Sequence, residues 1–323
     1  MITAPHSLHF GPRFDVAALS SIGVGEHPRT ENQDNFLLVD IHGRAVFIQN
    51  QQPCDTVLAG WPAGHARLAV LDGMGGHGHG REAAEAVVAG LLAMPACTTL
   101  DELSSRLDRL HQRLQAVFGD DSELERRPGT TLTMLELPPG QPGLLFHVGD
   151  SRLYKVADGK AQVLTVDHVP ATAFAMAGLI GEKDWWQQVH GEHRSQISQA
   201  FILGNAFANP ASLEDPLFPL SVEALPPFLR HLPDRRAVEL EPGADYLLAT
   251  DGFWSCADAA TWVSRWPAVL AGESGVEAAC AALFDEIRTR PPRNLHSDNL
   301  TAILLRLRPD AGADETALPG GPS

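Results

Sequence analysis

Four aspartates share one kind of place in the sequence: Asp72 in LAVLDGMGG, Asp150 in LLFHVGDSR, Asp251 in YLLATDGFW and Asp298 in HSDNLTAILL. The first three close apolar runs and the fourth opens one. A lone Asp-Gly is ordinary turn chemistry, and Asp158-Gly159, between SRLYKV and AQVLTV, reads as a two-residue hairpin turn. Recurrence at strand ends in four separate parts of a chain is something turns do not require. Carboxylates gathered at a sheet end repel one another unless a cation balances them. The pattern therefore points to a hard metal, Mg2+ or Mn2+, held by oxygen ligands and water. Arg29 and Asp34, in GVGEHPRTENQDNFLLVD, stand just ahead of another apolar run. If that loop joins the acidic cluster, Arg29 offers a planar guanidinium that matches phosphate oxygens in pairs.

The stretch ARLAVLDGMGGHGHGREAAEAVVAG also contains a literal G-x-G-x-x-G at Gly73, Gly75 and Gly78, the fingerprint of a dinucleotide site. An oxidoreductase of that kind needs a βαβ unit and an acidic residue ending the next strand. Asp101 instead opens a helical stretch, and the fingerprint leaves Asp72, His77 and His79 unexplained.

These residues must be positioned by a folded chain, and 323 residues with 44% hydrophobic content can build a sizeable core. A formal net charge of -16 with only three lysines, at 155, 160 and 183, argues against nucleic-acid partners, because phosphate neutralisation needs clustered cations. Cys54, Cys97, Cys256 and Cys280 are widely spaced and suggest buried thiols rather than a zinc site or a disulfide framework. No secretory leader pattern and no membrane-length apolar segment is evident, so a cytoplasmic setting is expected.

Strand-like runs come in blocks joined by turns: FDVAALSSIG, NFLLVDI, RAVFIQN and RLAVLDG, then GTTLTMLEL, GLLFHVGD, SRLYKV and AQVLTVDH. Helical periodicity appears at 81–93 and at 101–118, with Thr99 as an N-cap for the second, and ADAATWVSRWPAVLA and GVEAACAALFDEIRTR read as two more helices. Helix pairs between strand blocks predict an α+β fold, a four-layer α/β/β/α sandwich with two central antiparallel sheets. One domain is expected over 12–308, with an extended insertion at 171–236 and a disordered tail at 309–323. Within the insertion HRSQISQAFILGN reads as a helix, and Trp185 and Trp186 as aromatics that either dock a partner or pack on their own loop.

In order, RTENQD, LAVLDGMGGHGHGREAA, GTT, FHVGDSRLY, LTVDH, LLATDGFW and SDNLTAILL resemble the successive motifs of the metal-dependent type 2C protein phosphatases, the PPM family, with D-G-M-G-G similar to its bacterial members. The resemblance runs from about residue 15 to 307. It implies hydrolysis of phosphoserine and phosphothreonine on proteins, opposing a serine/threonine kinase, with two Mn2+ or Mg2+ ions and a third, weaker one. Asp72 would bridge the two ions, the Gly73 carbonyl would ligate one, and Asp251 and Asp298 the other. Asp34 would act through metal-bound water, Asp150 would help hold the third ion, and Arg29 would grip the phosphate. In that chemistry a water bridging cations about 4 Å apart is held as hydroxide and attacks phosphorus in line. The chain departs from the family where acidic pairs are common, at Gln33-Asp34. It departs again at Met74, where eukaryotic relatives carry a histidine, and at Ser255, where an acidic residue often stands. Alternatives are a catalytically weak regulatory module of the same fold and the dinucleotide-dependent oxidoreductase.

Overall fold

The computed structural model describes residues 1–3, 8–24, 29–75, 79–119, 127–191, 196–207 and 216–309. His77, Gly78, residues 192–195 and 208–215 of the expected insertion, and the expected tail from Asp310 onward lie outside the described residues. One sheet has six strands, in the order β1 (Ile2–Thr3), β2 (Phe14–Ser21), β17 (Leu300–Leu307), β16 (Asp245–Ala249), β11 (Arg152–Ala157) and β12 (Lys160–Val163). The other has seven: β15 (Arg235–Val238), β10 (Gly143–Val148), β9 (Leu132–Leu137), β6 (Ala66–Leu71), β3 (Asn35–Val39), β4 (Arg44–Gln49) and β5 (Gln52–Val57). Two short ladders join β7 (Gly73–Met74) to β8 (Gly129–Thr130) and β13 (Gln199–Ala200) to β14 (Gly204–Asn205). Every ladder among the described residues is antiparallel, which removes the βαβ unit that a dinucleotide site needs.

The central strands read as continuous apolar runs because both of their faces are covered. Along β3 and β6, Leu37, Val39, Ala69 and Leu71 face a core shared with α1 (His79–Ala93) and α2 (Leu100–Gly119). The alternate residues Phe36, Leu38, Leu68 and Val70 meet Tyr246, Leu248, Ile303 and Leu305 of the other sheet. On the far side Leu247, Ala249, Ala302 and Leu304 pack beneath Trp262, Trp266, Leu283 and Phe284, carried by α5 (Ala259–Val263), α6 (Trp266–Ala271) and α7 (Val276–Thr289). The expected four layers follow from this alternation.

Local chemistry sets several boundaries. Thr99 accepts the Glu102 N–H at 3.3 Å at the start of α2. Asp158 and Gly159 adopt φ of 50° and 71°, the left-handed pair of a tight hairpin turn. Two expectations need correction. ADAATWVSRWPAVLA is two short helices, not one, because Pro267 lacks an amide donor and breaks the run at Ser264-Arg265. HRSQISQAFILGN contains the β13–β14 hairpin instead of a helix: Thr130 exchanges backbone hydrogen bonds with Phe201, and Ile202 and Gly204 have φ of 72° and 100°. The insertion also carries α3 (Pro170–Met176) and α4 (Glu182–His190), closed over a small core of its own with Trp185, Leu220, Leu225 and Leu229. Trp185 packs on its own loop, whereas Trp186 is 52% exposed.

A buried ion network ties α1 to the seven-stranded sheet. Glu136 accepts from Arg67 Nε at 2.7 Å, Arg67 Nη2 at 2.9 Å, His65 Nε2 at 2.8 Å and the Cys97 amide at 2.9 Å. Arg67 also donates to the carbonyls of Leu91, Met94 and Pro95, capping the end of α1, and its guanidinium lies over Trp61. Replacing Glu136 by Gln leaves Arg67 buried and uncompensated, so urea unfolding should show a loss of about 3–5 kcal/mol, partly restored in an Arg67→Met/Glu136→Leu double variant.

His147 is buried, its Nε2–H donating to the Val166 carbonyl at 3.2 Å while Nδ1 pairs with the Thr133 hydroxyl at 2.8 Å. Burial, with added repulsion from His168, keeps its pKa well below the usual imidazole range. The unfolded state therefore takes up the proton first as pH falls below about 6.5, and this contribution to stability is present above that pH and lost below it. A His147→Asn variant should show a shallower fall of unfolding free energy between about pH 6.5 and pH 5, by up to about 1.4 kcal/mol per pH unit.

Candidate active site

The strands bring five aspartates to one end of the sandwich. Asp34 immediately precedes β3, Asp72 follows β6 and Asp150 lies just past β10, all at the same end of the seven-stranded sheet because these strands alternate in direction. Asp251, opening a 3₁₀ turn after β16, and Asp298, two residues ahead of β17, come from the corresponding end of the six-stranded sheet. Asp34, Asp150 and Asp251 are buried, and Asp298 is partly exposed.

Their carboxyls lie near enough to repel one another. Burial raises the Asp72 carboxyl well above its ordinary range, and repulsion from Asp34, Asp251, Asp298 and Asp150 adds to it. Asp34 is raised well above its range by burial and by Asp298 and Asp251, against the hydrogen bond from the Thr250 hydroxyl. Asp298 is raised by burial and by Asp251, an effect opposed by Arg29. Among the described residues, no three His, Cys, Asp or Glu side chains close into a ready-made cage for one ion. A donor set of this kind, carboxylates linked through space rather than drawn onto one point, suits cations that keep several waters and take one or two carboxylates each.

Backbone approach makes the convergence possible. A Cβ on Gly73 would lie 2.3 Å from the Gly80 carbonyl oxygen, so the loop after Asp72 can rest on the start of α1 only as glycine. Gly252 is equally constrained, since a Cβ there would lie 2.0 Å from the Asn299 carbonyl oxygen of the segment carrying Asp298.

Several positioning residues escaped the sequence reading. Thr131 accepts the Asp72 amide at 2.8 Å through its hydroxyl, and its own amide donates to the Asp72 carbonyl at 2.9 Å. Thr250 Oγ1 donates to Asp34 Oδ2 at 2.8 Å, and Ser255 Oγ to Asp251 Oδ2 at 3.2 Å. Asn299 staples the two sheets, accepting from the Gln33 amide at 2.8 Å and donating to the Glu31 carbonyl at 3.0 Å. The sequence signal for Thr131, Thr250 and Asn299 was membership in GTT, LLATDGFW and SDNLT, and Ser255 stood out as a departure from the family pattern.

Arg29 reaches the cluster, donating through Nε to the Ser297 carbonyl at 3.0 Å and through Nη2 to Asp298 at 3.1 Å, with its side chain 53% exposed. It is ion-paired here with one of the carboxylates. His79 pairs with Glu82 on the first turn of α1 at 3.4 Å.

Several contacts among the described residues fasten the insertion to this end. Phe201 bridges to Thr130 in β8, which pairs with Gly73 and Met74, while the Ile202 amide donates to His111 of α2 at 2.9 Å. His168 Nδ1 accepts from the Gly149 amide beside Asp150, at 3.3 Å, and from Gln199 of the hairpin, at 2.9 Å. Arg152, two residues past Asp150, pairs with Asp167 at 2.7 Å and donates to the Val189 carbonyl.

The model of the family Protein phosphatase 2C matches residues 45–283. The serine/threonine protein phosphatase PstP of Mycobacterium tuberculosis is 34% identical over 108 residues, which is 32% of this chain and 21% of that protein, so the match spans about a fifth of the relative's length. Among solved structures, a serine/threonine phosphatase of S. agalactiae superposes with a TM-score of 0.64 at 20% identity, covering 91% of this chain and 100% of the other. The catalytic domain of PstP in complex with two manganese ions superposes at 0.58 and 22% identity, covering 92% and 99%. These likenesses establish the shared sandwich fold, and the family match extends over most of the chain: it belongs to the protein phosphatase 2C family.

Proposed function

We propose that the protein is a metal-dependent hydrolase of phosphoserine and phosphothreonine on phosphoproteins. The observation that carries this reading is the gathering of five mutually repelling aspartates from both sheets at one end of the sandwich, in a member of a phosphatase family. Asp72, Asp34, Asp150, Asp251 and Asp298, with the Gly73 carbonyl, are the groups that would hold Mn2+ or Mg2+, two ions and a weaker third; the manganese complex of the related PstP domain supports two. Such ions supply Lewis acidity and make water a nucleophile at neutral pH.

The chain's own residues do the rest. Thr250 and Ser255 orient the carboxylates of Asp34 and Asp251 by donating to one oxygen of each. Thr131 fixes the backbone of Asp72, and the Gly73–Gly80 approach excludes side chains from the loop beside it. Arg29 is half exposed at the rim, where an incoming phosphate dianion would compete with Asp298 for the guanidinium and orient the phosphorus toward the carboxylate cluster. A phosphoprotein whose kinase is serine/threonine-directed is the matching substrate class. Among the described residues no helix is long and apolar enough to cross a membrane.

Hydrolysis of a phosphothreonine peptide is expected with Mn2+, to be abolished by EDTA, and to fall by about 10²–10³-fold in Asp72→Asn. Turnover that survives chelation, or an unimpaired variant, would remove the metal-dependent mechanism.

Thr250→Val removes only the hydroxyl that orients Asp34, so its half-saturating Mn2+ concentration should rise by about 10-fold, the scale of lost outer hydrogen bonds at metal sites. Thermal melting with and without Mn2+ provides a reading independent of turnover: the ion-induced rise in midpoint should be smaller in the variant than in the wild type.

A further inference from the structure

Arg29 stands in a loop whose hold on the rest of the chain can be followed bond by bond. Its half-exposed guanidinium is bonded to the Ser297 carbonyl and to Asp298, both at the carboxylate end. A phosphate that displaces Asp298 would leave one contact, to a carbonyl, so the loop itself must fix where the guanidinium stands. Two residues on, Glu31 supplies that hold through its side chain. Glu31 Oε1 accepts from Arg81 Nε at 2.6 Å, while Arg81 Nη1 donates to Glu85 Oε1 at 3.1 Å.

Arg81 is itself rooted. It follows Gly80, where a Cβ would lie 2.7 Å from the Gly73 carbonyl, so its side chain springs from the point at which α1 touches the loop after Asp72. Glu85 is mostly buried and accepts the Asn50 amide at 2.7 Å and Gln49 Nε2 at 2.8 Å, both at the turn between β4 and β5. The guanidinium is therefore forked between two carboxylates, one fixed by the sheet and one on the loop of Arg29. On the other side Asn299, the neighbour of Asp298, donates to the Glu31 carbonyl. Glu31 is thus tied both to the Asp72 side of the site and to the Asp298 side.

We infer that Arg81 and Glu31 are positioning residues for phosphate, a clamp that fixes Arg29 relative to Asp72 before the substrate arrives. The inference rests on the phosphatase reading and adds to it two side chains that act through Arg29 rather than on the reacting atoms. The planar fork of arginine suits the task, since it reaches both carboxylates at once where a lysine offers a single point of charge. Without the clamp Arg29 keeps its charge but loses its fixed place, so phosphate binding weakens. The aspartates, oriented by Thr250, Ser255 and Thr131, keep their geometry.

Steady-state hydrolysis of a phosphothreonine peptide at saturating Mn2+ tests this, with calorimetric titration of the Mg2+-loaded chain by inorganic phosphate as a reading free of turnover. Glu31→Ala and Arg81→Ala are each expected to raise KM and the phosphate dissociation constant about five- to tenfold, with kcat and the half-saturating Mn2+ concentration within about twofold of wild type. The double variant should be no weaker than the single ones, because either change opens the same clamp. Glu31→Gln, which keeps an acceptor for Arg81, should recover most of the wild-type KM. Arg81→Ala strips a partner from the mostly buried Glu85, so melting of the metal-free chain accompanies each variant; Glu31→Ala leaves Arg81 on Glu85 and decides the matter if Arg81→Ala unfolds. KM and phosphate affinity within about twofold of wild type in Glu31→Ala, effects that add in the double variant, or an Mn2+ requirement that rises in step with KM would overturn the clamp while wild-type turnover stands. A wild type that neither hydrolyses the peptide nor binds phosphate would instead overturn the phosphatase reading, and the clamp with it.

Discussion

Carboxylates held out of water favour their protonated forms, and neighbouring carboxylates increase that preference. The end of the sandwich where Asp34, Asp72, Asp150, Asp251 and Asp298 meet is organised around this repulsion. Among the described residues, the cation that pairs with one of them is Arg29, at the rim. Hydroxyls and amides take the place of counter-charges: the Thr250 hydroxyl for Asp34, the Ser255 hydroxyl for Asp251, and the Asn299 backbone amide for the carboxylate of Asp298. Neutral donors of this kind orient an acidic group without cancelling its charge.

The same end is where the two sheets are sewn together by polar groups instead of the apolar core that separates them elsewhere. Asn32, just ahead of β3, donates to the Ser20 hydroxyl at 2.8 Å, which Thr301 of the neighbouring strand in the same sheet holds at 2.7 Å, and Thr250 reaches from the end of β16 to Asp34 beside β3. Asn299 completes the seam toward Gln33 and Glu31. Because each link joins residues distant in sequence, the geometry of the carboxylates is set by the relative placement of the sheets. A disturbance in the core between them would therefore be felt first at the site.

Much of this was legible in the chain. Aspartates at strand ends announce themselves because a strand's apolar run stops where its sheet does, and Asp158-Gly159 carries its turn type in two residues. Strands buried on both faces betray two covering layers. The hairpin over 199–205 was hidden because Ile197, Ala200, Phe201 and Gly204 keep helical spacing, while the pairing with Thr130 that overrides it involves a partner about seventy residues away. The split between α5 and α6 was visible in Pro267 and was outweighed by the apolar period around it. The roles of Thr131, Thr250 and Asn299 depend on tertiary approach, which single-residue types do not encode.

The fastenings of the insertion divide it into parts with different freedom to change. The hairpin at Thr130, the His168–Gly149 link and the Arg152 pairing with Asp167 all lie where the insertion meets the sandwich. The core around Trp185 and Leu220 belongs to the insertion itself. Sequence drift in that outer core could alter the surface shown to other molecules while the fastenings hold the Asp72 loop and the Asp150 strand end in register. A single scaffold of this design can diversify what it meets without re-solving how its acidic centre is built.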